Sequence, residues 1–188
     1  QRAMTPRRPD FTRCVSRLGL PDDASPWEQI TRSGGWRQGD TIQLFPVPTV
    51  VDGQMECDFL VHGMRHIVDR ATTVGHDDVT VTRPEFERQL AMLRAGDELR
   101  VCDEPTNPSN PLAILTTTRE DVPLGWVPNL LVKELHRIPN HQDATVRALA
   151  VNGADAGWHL RLLAHLSVAV PEGFEIFTGE EWQPVPAP

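Results

Sequence analysis

Ala95-Gly-Asp-Glu-Leu-Arg-Val-Cys-Asp-Glu-Pro-Thr-Asn-Pro-Ser-Asn-Pro-Leu-Ala-Ile-Leu115, followed after a polar run by Pro123-Leu-Gly-Trp-Val-Pro128, is the stretch whose reading decides the fold. Leu99 and Val101 alternate with Glu98 and Arg100, the period of a half-buried strand. Ala113 to Leu115 and Leu124 to Val127 are further short apolar runs, each bounded by Gly, Pro or Asn, so three short strands are predicted. Between the first two lies Pro105-Thr-Asn-Pro-Ser-Asn-Pro111. Its prolines fix φ, and Glu104, Asn107 and Asn110 ahead of them are biased towards extended geometry. The loop is therefore stiff and presents side chains at low entropic cost.

The flanking chain reads by the same rules. Thr82-Arg83-Pro84-Glu85 has the form of a capping box, and Phe86, Leu90 and Leu93 recur behind it at helical spacing, which predicts a helix over 84–95 stopped by Gly96. Pro128 opens another helix, with Leu131, Leu135 and Ile138 on one face. Residues 144–151 and 158–170 read as a closing hairpin. Upstream, Asp52-Gly53 predicts a turn that pairs 42–50 with 55–61, and Gly39-Asp40 opens a strand from Thr41 to Phe45. Ser25-Pro26-Trp27-Glu28 is a second capping box and predicts a short helix over 26–32. Phe11 to Leu18 is read as a strand. Residues 1–10 are polar and basic and are expected to form a flexible tail. Phe174, Phe177 and Trp182 in the C-terminal tail are expected to lie against the folded body, because three aromatics are costly to leave in water.

Glu104-Pro105, Asn107-Pro108, Ala113-Ile114 and Gly125-Trp126-Val127-Pro128 together resemble the signature of the HIRAN domain family, and Phe59-Leu-Val-His-Gly-Met-Arg65-His66 resembles that family's first strand. The resemblance spans roughly 57–170 and is to a stand-alone bacterial-type member. It implies a mainly β fold with a few short helices: an OB-like β-barrel over 57–170, preceded by an N-terminal β extension with a short helix over 11–56 and the tail over 1–10. Residues 171–188 would pack on the barrel. In the family's fork-remodelling helicases this domain binds the 3′ end of single-stranded DNA, which would place the chain in DNA repair or processing. Carried over residue by residue, the ligand site would comprise Arg65 and His66 after the first strand, Asn107, Ser109 and Asn110 in the stiff loop, and Trp158 as the late aromatic. The helicase members have Tyr and Asp where this chain has Ser109 and Asn110, and Tyr is commoner at His66. This chain contains no Tyr. A stacked base is worth about 1–3 kcal/mol, so the exchange of a stacking Tyr for Ser109 weakens a base contact roughly tenfold or more.

Each of these residues also has a plainer reading. Asn107, Ser109 and Asn110 are ordinary turn formers. Gly63 and Gly125 read as backbone devices rather than contacts. Arg65 equally suits an ion pair at a strand end, and Trp126 and Trp158 suit core packing or rim stacking. His62, His66, His76, Asp77 and Asp78 form the one run of metal-capable residues, and i, i+4 on a strand would bring His62 and His66 to one face, yet no third ligand follows at a zinc spacing. Neither a metal nor a cofactor is expected.

The 188 residues suffice for one well-packed domain with an extension, and a net charge of −8 leaves room for only a local basic patch on a nucleic-acid binder. All 18 basic residues but Lys133 are Arg, a bias that codon usage and bidentate phosphate recognition explain equally. Cys14, Cys57 and Cys102 are isolated and suit buried positions in a reducing, cytoplasmic setting. Neither a secretory leader nor a membrane span is visible. Hydrolase, zinc-protease and phosphate-loop motifs are missing, so a non-catalytic binding module is expected. The acidic balance and the absent Tyr keep a second class open: a protein–protein adaptor on the same scaffold, with a separately encoded DNA-processing protein as its partner.

Overall fold

In the computed structural model, residues 5–34 and 45–184 are described. The elements run α1 (Phe11–Ser16), α2 (Pro26–Arg32), β1 (Thr49–Val51), β2 (Gln54–Leu60), β3 (Ala71–Val74), β4 (Asp77–Thr80), α3 (Arg83–Met92), β5 (Glu98–Asp103), β6 (Ile114–Thr117), β7 (Pro123–Trp126), α4 (Asn129–His136), β8 (Thr145–Val151) and β9 (Leu162–Ala169). Seven strands form one antiparallel sheet in the order β1-β2-β9-β8-β5-β6-β7, and β3 and β4 form a separate hairpin. The protein is mainly β with a few short helices.

The three strands of the deciding stretch are all present. Leu99 and Val101 of β5 are buried while Glu98 and Arg100 face solvent, and β6 is buried along its whole length. Beside β6, Leu124 and Val127 join Phe59, Phe86, Leu131, Leu135 and Leu166 in a single core. Thr116 of β6 carries a buried hydroxyl without a hydrogen-bond partner among the described residues.

The sheet is open, which corrects the expected closed barrel. A barrel needs a continuous ladder between its first and last strands. Here β7 meets the chain beyond β2 at one antiparallel bridge, His62 to Trp126, made of two backbone hydrogen bonds of 2.8 and 2.9 Å. Gly63 then turns the chain left-handed (φ 69°) into the 3-10 turn Met64–His66, so no ladder forms.

The N-terminal part departs from the expected strand over 11–18. Phe11, Val15 and Leu18 are buried at i, i+4 and i+7, the stripe of the helix α1. The Ser25 capping box forms as read: Ser25 Oγ accepts from the Glu28 amide at 3.2 Å, and Glu28 Oε2 accepts from the Ser25 amide at 2.7 Å. In α3, by contrast, the Thr82 side chain makes no capping bond. The Asp52-Gly53 turn joins strands shorter than expected, Thr49–Val51 paired with Gln54–Glu56. The expected strand from Thr41 lies outside the described residues except for Phe45, which is coil packed against the core. In the C-terminal segment the Phe177 ring lies 4.2 Å from that of Trp182, and Arg137 caps the Phe174 ring at 5.0 Å.

Candidate functional site

Two neighbouring cavities share the 62–66 turn as their dividing wall. One, of about 360 Å³, lies between that turn, Arg70 to Thr72, the stiff loop and Trp126; His66, Asn107, Ser109 and Asn110 line it. The other, of about 700 Å³, lies towards α2, and Arg65, His66 and Trp158 line it. The six residues expected from the sequence therefore line two adjoining cavities, and His66, with His62 and Gly63, borders both.

The loop owes its shape to Glu104, a buried carboxylate at the end of β5. Glu104 Oε2 accepts from the Trp126 indole N–H at 2.6 Å and from the Asn107 amide at 2.7 Å. Asn107 Oδ1 in turn accepts from the backbone amides of Ser109 (3.0 Å) and Asn110 (3.2 Å), an Asx turn. Asn110 donates to Asn129 Oδ1 at 3.1 Å and accepts from the Leu112 amide at 2.9 Å. The amide groups of Asn107 and Asn110 thus hold the loop, while Ser109 is exposed at its tip.

Two glycines make the close approach behind it possible. A Cβ on Gly63 would lie 2.5 Å from the Trp126 ring, and one on Gly125 would lie 2.5 Å from the His62 carbonyl oxygen. Both positions also have positive φ. The Trp126 ring is therefore seated on Gly63 and anchored by Glu104, so it packs as a wall of the first cavity and its edge lines it.

Arg65 and His66 are exposed, and Arg65 Nε donates to His66 Nε2 at 3.1 Å. The left-handed Gly63 and the 3-10 turn end the extended backbone after His62, so strand spacing does not relate His62 to His66, although both line both cavities. His62 is half-buried; burial, and secondarily the charge of His159, lower its pKa and favour its neutral form. Trp158 opens a 3-10 turn, half-buried, with Phe86 6.0 Å from its ring and the guanidinium carbons of Arg83 and Arg161 each 5.6 Å from its centroid. It packs the core with one side and borders the second cavity with the other.

The electrostatics are local. Arg65 and Arg70 form no ion pair with a carboxylate among the described residues, and each lines a cavity. The carboxylates that line the cavities are occupied: Glu104 as above, and Asp58 by Arg32 and by His165 Nδ1 at 2.7 Å. Arg161 is buried and fully engaged, with a fork onto Glu87 (3.1 and 2.7 Å) and a 2.9 Å bond to the Asn152 carbonyl. Burial pushes the Cys57 thiol up to about 12 and raises that of Cys102, which makes these two poor nucleophiles. Sequence reasoning did not single out Arg70, whose only signal is its position after the 62–66 turn, nor Glu104 as the loop's anchor, although Glu104 was among the motif residues.

No protein-family model and no curated protein matches the sequence. None of the described helices is long and apolar enough to cross a membrane. Among solved structures, the chain is similar to a structural-genomics protein of Lactobacillus plantarum, with 16% identity and a TM-score of 0.40 over 61% of this chain and 98% of that one. It is also similar to the HIRAN domain of human HLTF, with 16% identity and a TM-score of 0.37 over 64% of this chain and 78% of that one.

Proposed function

We propose that the face built from the 62–66 turn, the 104–110 loop and Trp158 binds single-stranded DNA, its 3′ end in particular, without catalysing a reaction on it. The observation that carries this reading is the pair Arg65 and Arg70, which have no carboxylate partner among the described residues and stand one at each of two adjoining cavities whose own carboxylates, Asp58 and Glu104, are already bonded. A chain of net charge −8 thereby keeps a local positive site of the size that one or two phosphates need. The preformed loop supports the same reading, since its exposed tip is ordered before any ligand arrives. The family resemblance of the motifs supports a role in DNA processing.

The test is fluorescence anisotropy of a short labelled strand ending in a 3′ hydroxyl, against a 3′ phosphate and a duplex. Two phosphate contacts give a loss of about sevenfold in affinity between roughly 50 and 200 mM salt. Arg65→Ala combined with Arg70→Ala should abolish that salt dependence and weaken binding at least tenfold. Undiminished binding by this double variant refutes the site. Absence of binding by the native chain in every condition favours the adaptor reading, in which the partner is a protein. Trp158 is a poorer test residue, because its contacts with Phe86 and Arg161 make its removal costly to the fold.

A further inference from the structure

Asp103, at the end of β5, meets His136, the last residue of α4, and His141, in the 3-10 turn His141–Asp143 that follows. One ligand atom from each lies within 4.8 Å of the other two. His141 Nε2 is 2.8 Å from Asp103 Oδ1, His136 Nε2 is 3.9 Å from the same oxygen, and the imidazole rings meet edge to face with centroids 4.5 Å apart. We propose that these three side chains form a binding site for a first-row divalent transition cation, with zinc as the best fit.

Donor chemistry supports this. Two imidazole nitrogens and one carboxylate oxygen are a three-ligand set that zinc accepts, with a fourth position for water or another oxygen. Zinc–ligand bonds of about 2.0–2.1 Å in a tetrahedron separate neighbouring ligand atoms by roughly 3.4 Å. The separations of 2.8 and 3.9 Å fall on either side of that value by about half an ångström, which small χ changes in half-buried side chains absorb.

A second layer is also in place. Gln142 Nε2 donates to Asp103 Oδ2 at 2.6 Å, which orients the carboxylate and leaves Oδ1 as the ligand atom. The Leu112 carbonyl lies 3.0 Å from His136 Nε2, so a water in the fourth position would find an acceptor there. On metal binding both imidazoles carry their proton on Nδ1: His136 exchanges its bond to the Leu112 carbonyl for the ion, and His141 exchanges its bond to Asp103 Oδ1. The end of β5, α4 and the 3-10 turn His141–Asp143 would then be cross-linked. The site lies outside the run His62 to Asp78, the metal-capable stretch of the sequence, from which no metal was expected; its members come from positions 103, 136 and 141.

The test is zinc titration of the tag-free, chelator-stripped full chain, with a competing chromophoric chelator. One equivalent is expected to bind and to raise the melting temperature. Cobalt(II) should give the intense visible bands of a four-coordinate nitrogen and oxygen site without a thiolate charge-transfer band. His136→Gln with His141→Gln should lower zinc affinity at least a hundredfold with an unchanged far-UV spectrum, and Asp103→Asn at least tenfold. Equal affinity in the double variant, a thiolate band, or no stoichiometric zinc overturns the site. The readout is metal affinity, so the result stands apart from DNA binding.

Discussion

Replacement of Glu104 tests how the loop is held. Glu104 Oε2 is the shared acceptor for the Trp126 indole at 2.6 Å and the Asn107 amide at 2.7 Å. A hydrogen bond to a charged acceptor contributes about 1.5–3 kcal/mol, and a buried donor left unpaired loses its partner without compensation. Asn107 is only half-buried and its amide can turn to water, so the sum is nearer the lower end. Glu104→Ala should therefore destabilise the protein by about 3 kcal/mol. With a urea slope near 2 kcal/mol/M, the unfolding midpoint should fall by about 1.5 M. Glu104→Gln keeps one acceptor oxygen in the same volume and should cost about half as much. A double-mutant cycle with Asn107→Ala should show a coupling of about 1 kcal/mol or more, because both residues share one bond. A Glu104→Ala variant within about 0.5 kcal/mol of the native chain, or zero coupling, would refute the role of Glu104 as the common anchor.

Three further outcomes follow from named contacts. Gly63→Ala places a Cβ 2.5 Å from the Trp126 ring at a left-handed φ of 69°, and should cost about 2–4 kcal/mol with a change in tryptophan emission. Thr116→Val removes a buried, unpartnered hydroxyl at nearly constant volume and should leave stability unchanged or raise it by about 1 kcal/mol, read from the urea midpoint. The hydrogen bonds of Arg161 hold the Glu87 carboxyl below the usual carboxylate range, so its stabilisation is complete above about pH 4.5 and is lost as pH falls through the lowered folded pKa. Glu87→Gln should accordingly be less stable than the native chain at pH 7, and the gap should close in acid; a gap that stays constant from pH 7 to about pH 3 would exclude the pair as its source.

What was legible in the sequence was whatever local chemistry determines. The alternation of Leu99 and Val101 with Glu98 and Arg100, the Asp52-Gly53 turn and the Ser25-Pro26-Trp27-Glu28 cap each act within a few residues, and the protein follows them. The misread element, α1, is six residues long; Phe11 and Val15 at i, i+4 fit either period, and only Leu18, beyond its end, continues the helical stripe. The six residues expected at the site do line the two adjoining cavities, because the motif residues flank the turn and loop that make them.

The tertiary structure decided the rest. Closure of the sheet depends on whether residues beyond β2 continue to pair with β7, and the left-handed turn at Gly63 ends that pairing after one bridge. Which arginines remain unpaired depends on carboxylates distant in sequence, as with Arg32 on Asp58 and Arg161 on Glu87, and on their absence, among the described residues, beside Arg65 and Arg70. The Asp103, His136 and His141 cluster has no sequence spacing of its own; β5 and the α4 end bring it together. Patterns of local hydrogen bonding and hydrophobic period are written along the chain, whereas charge pairing and ligand convergence exist only once distant segments have packed.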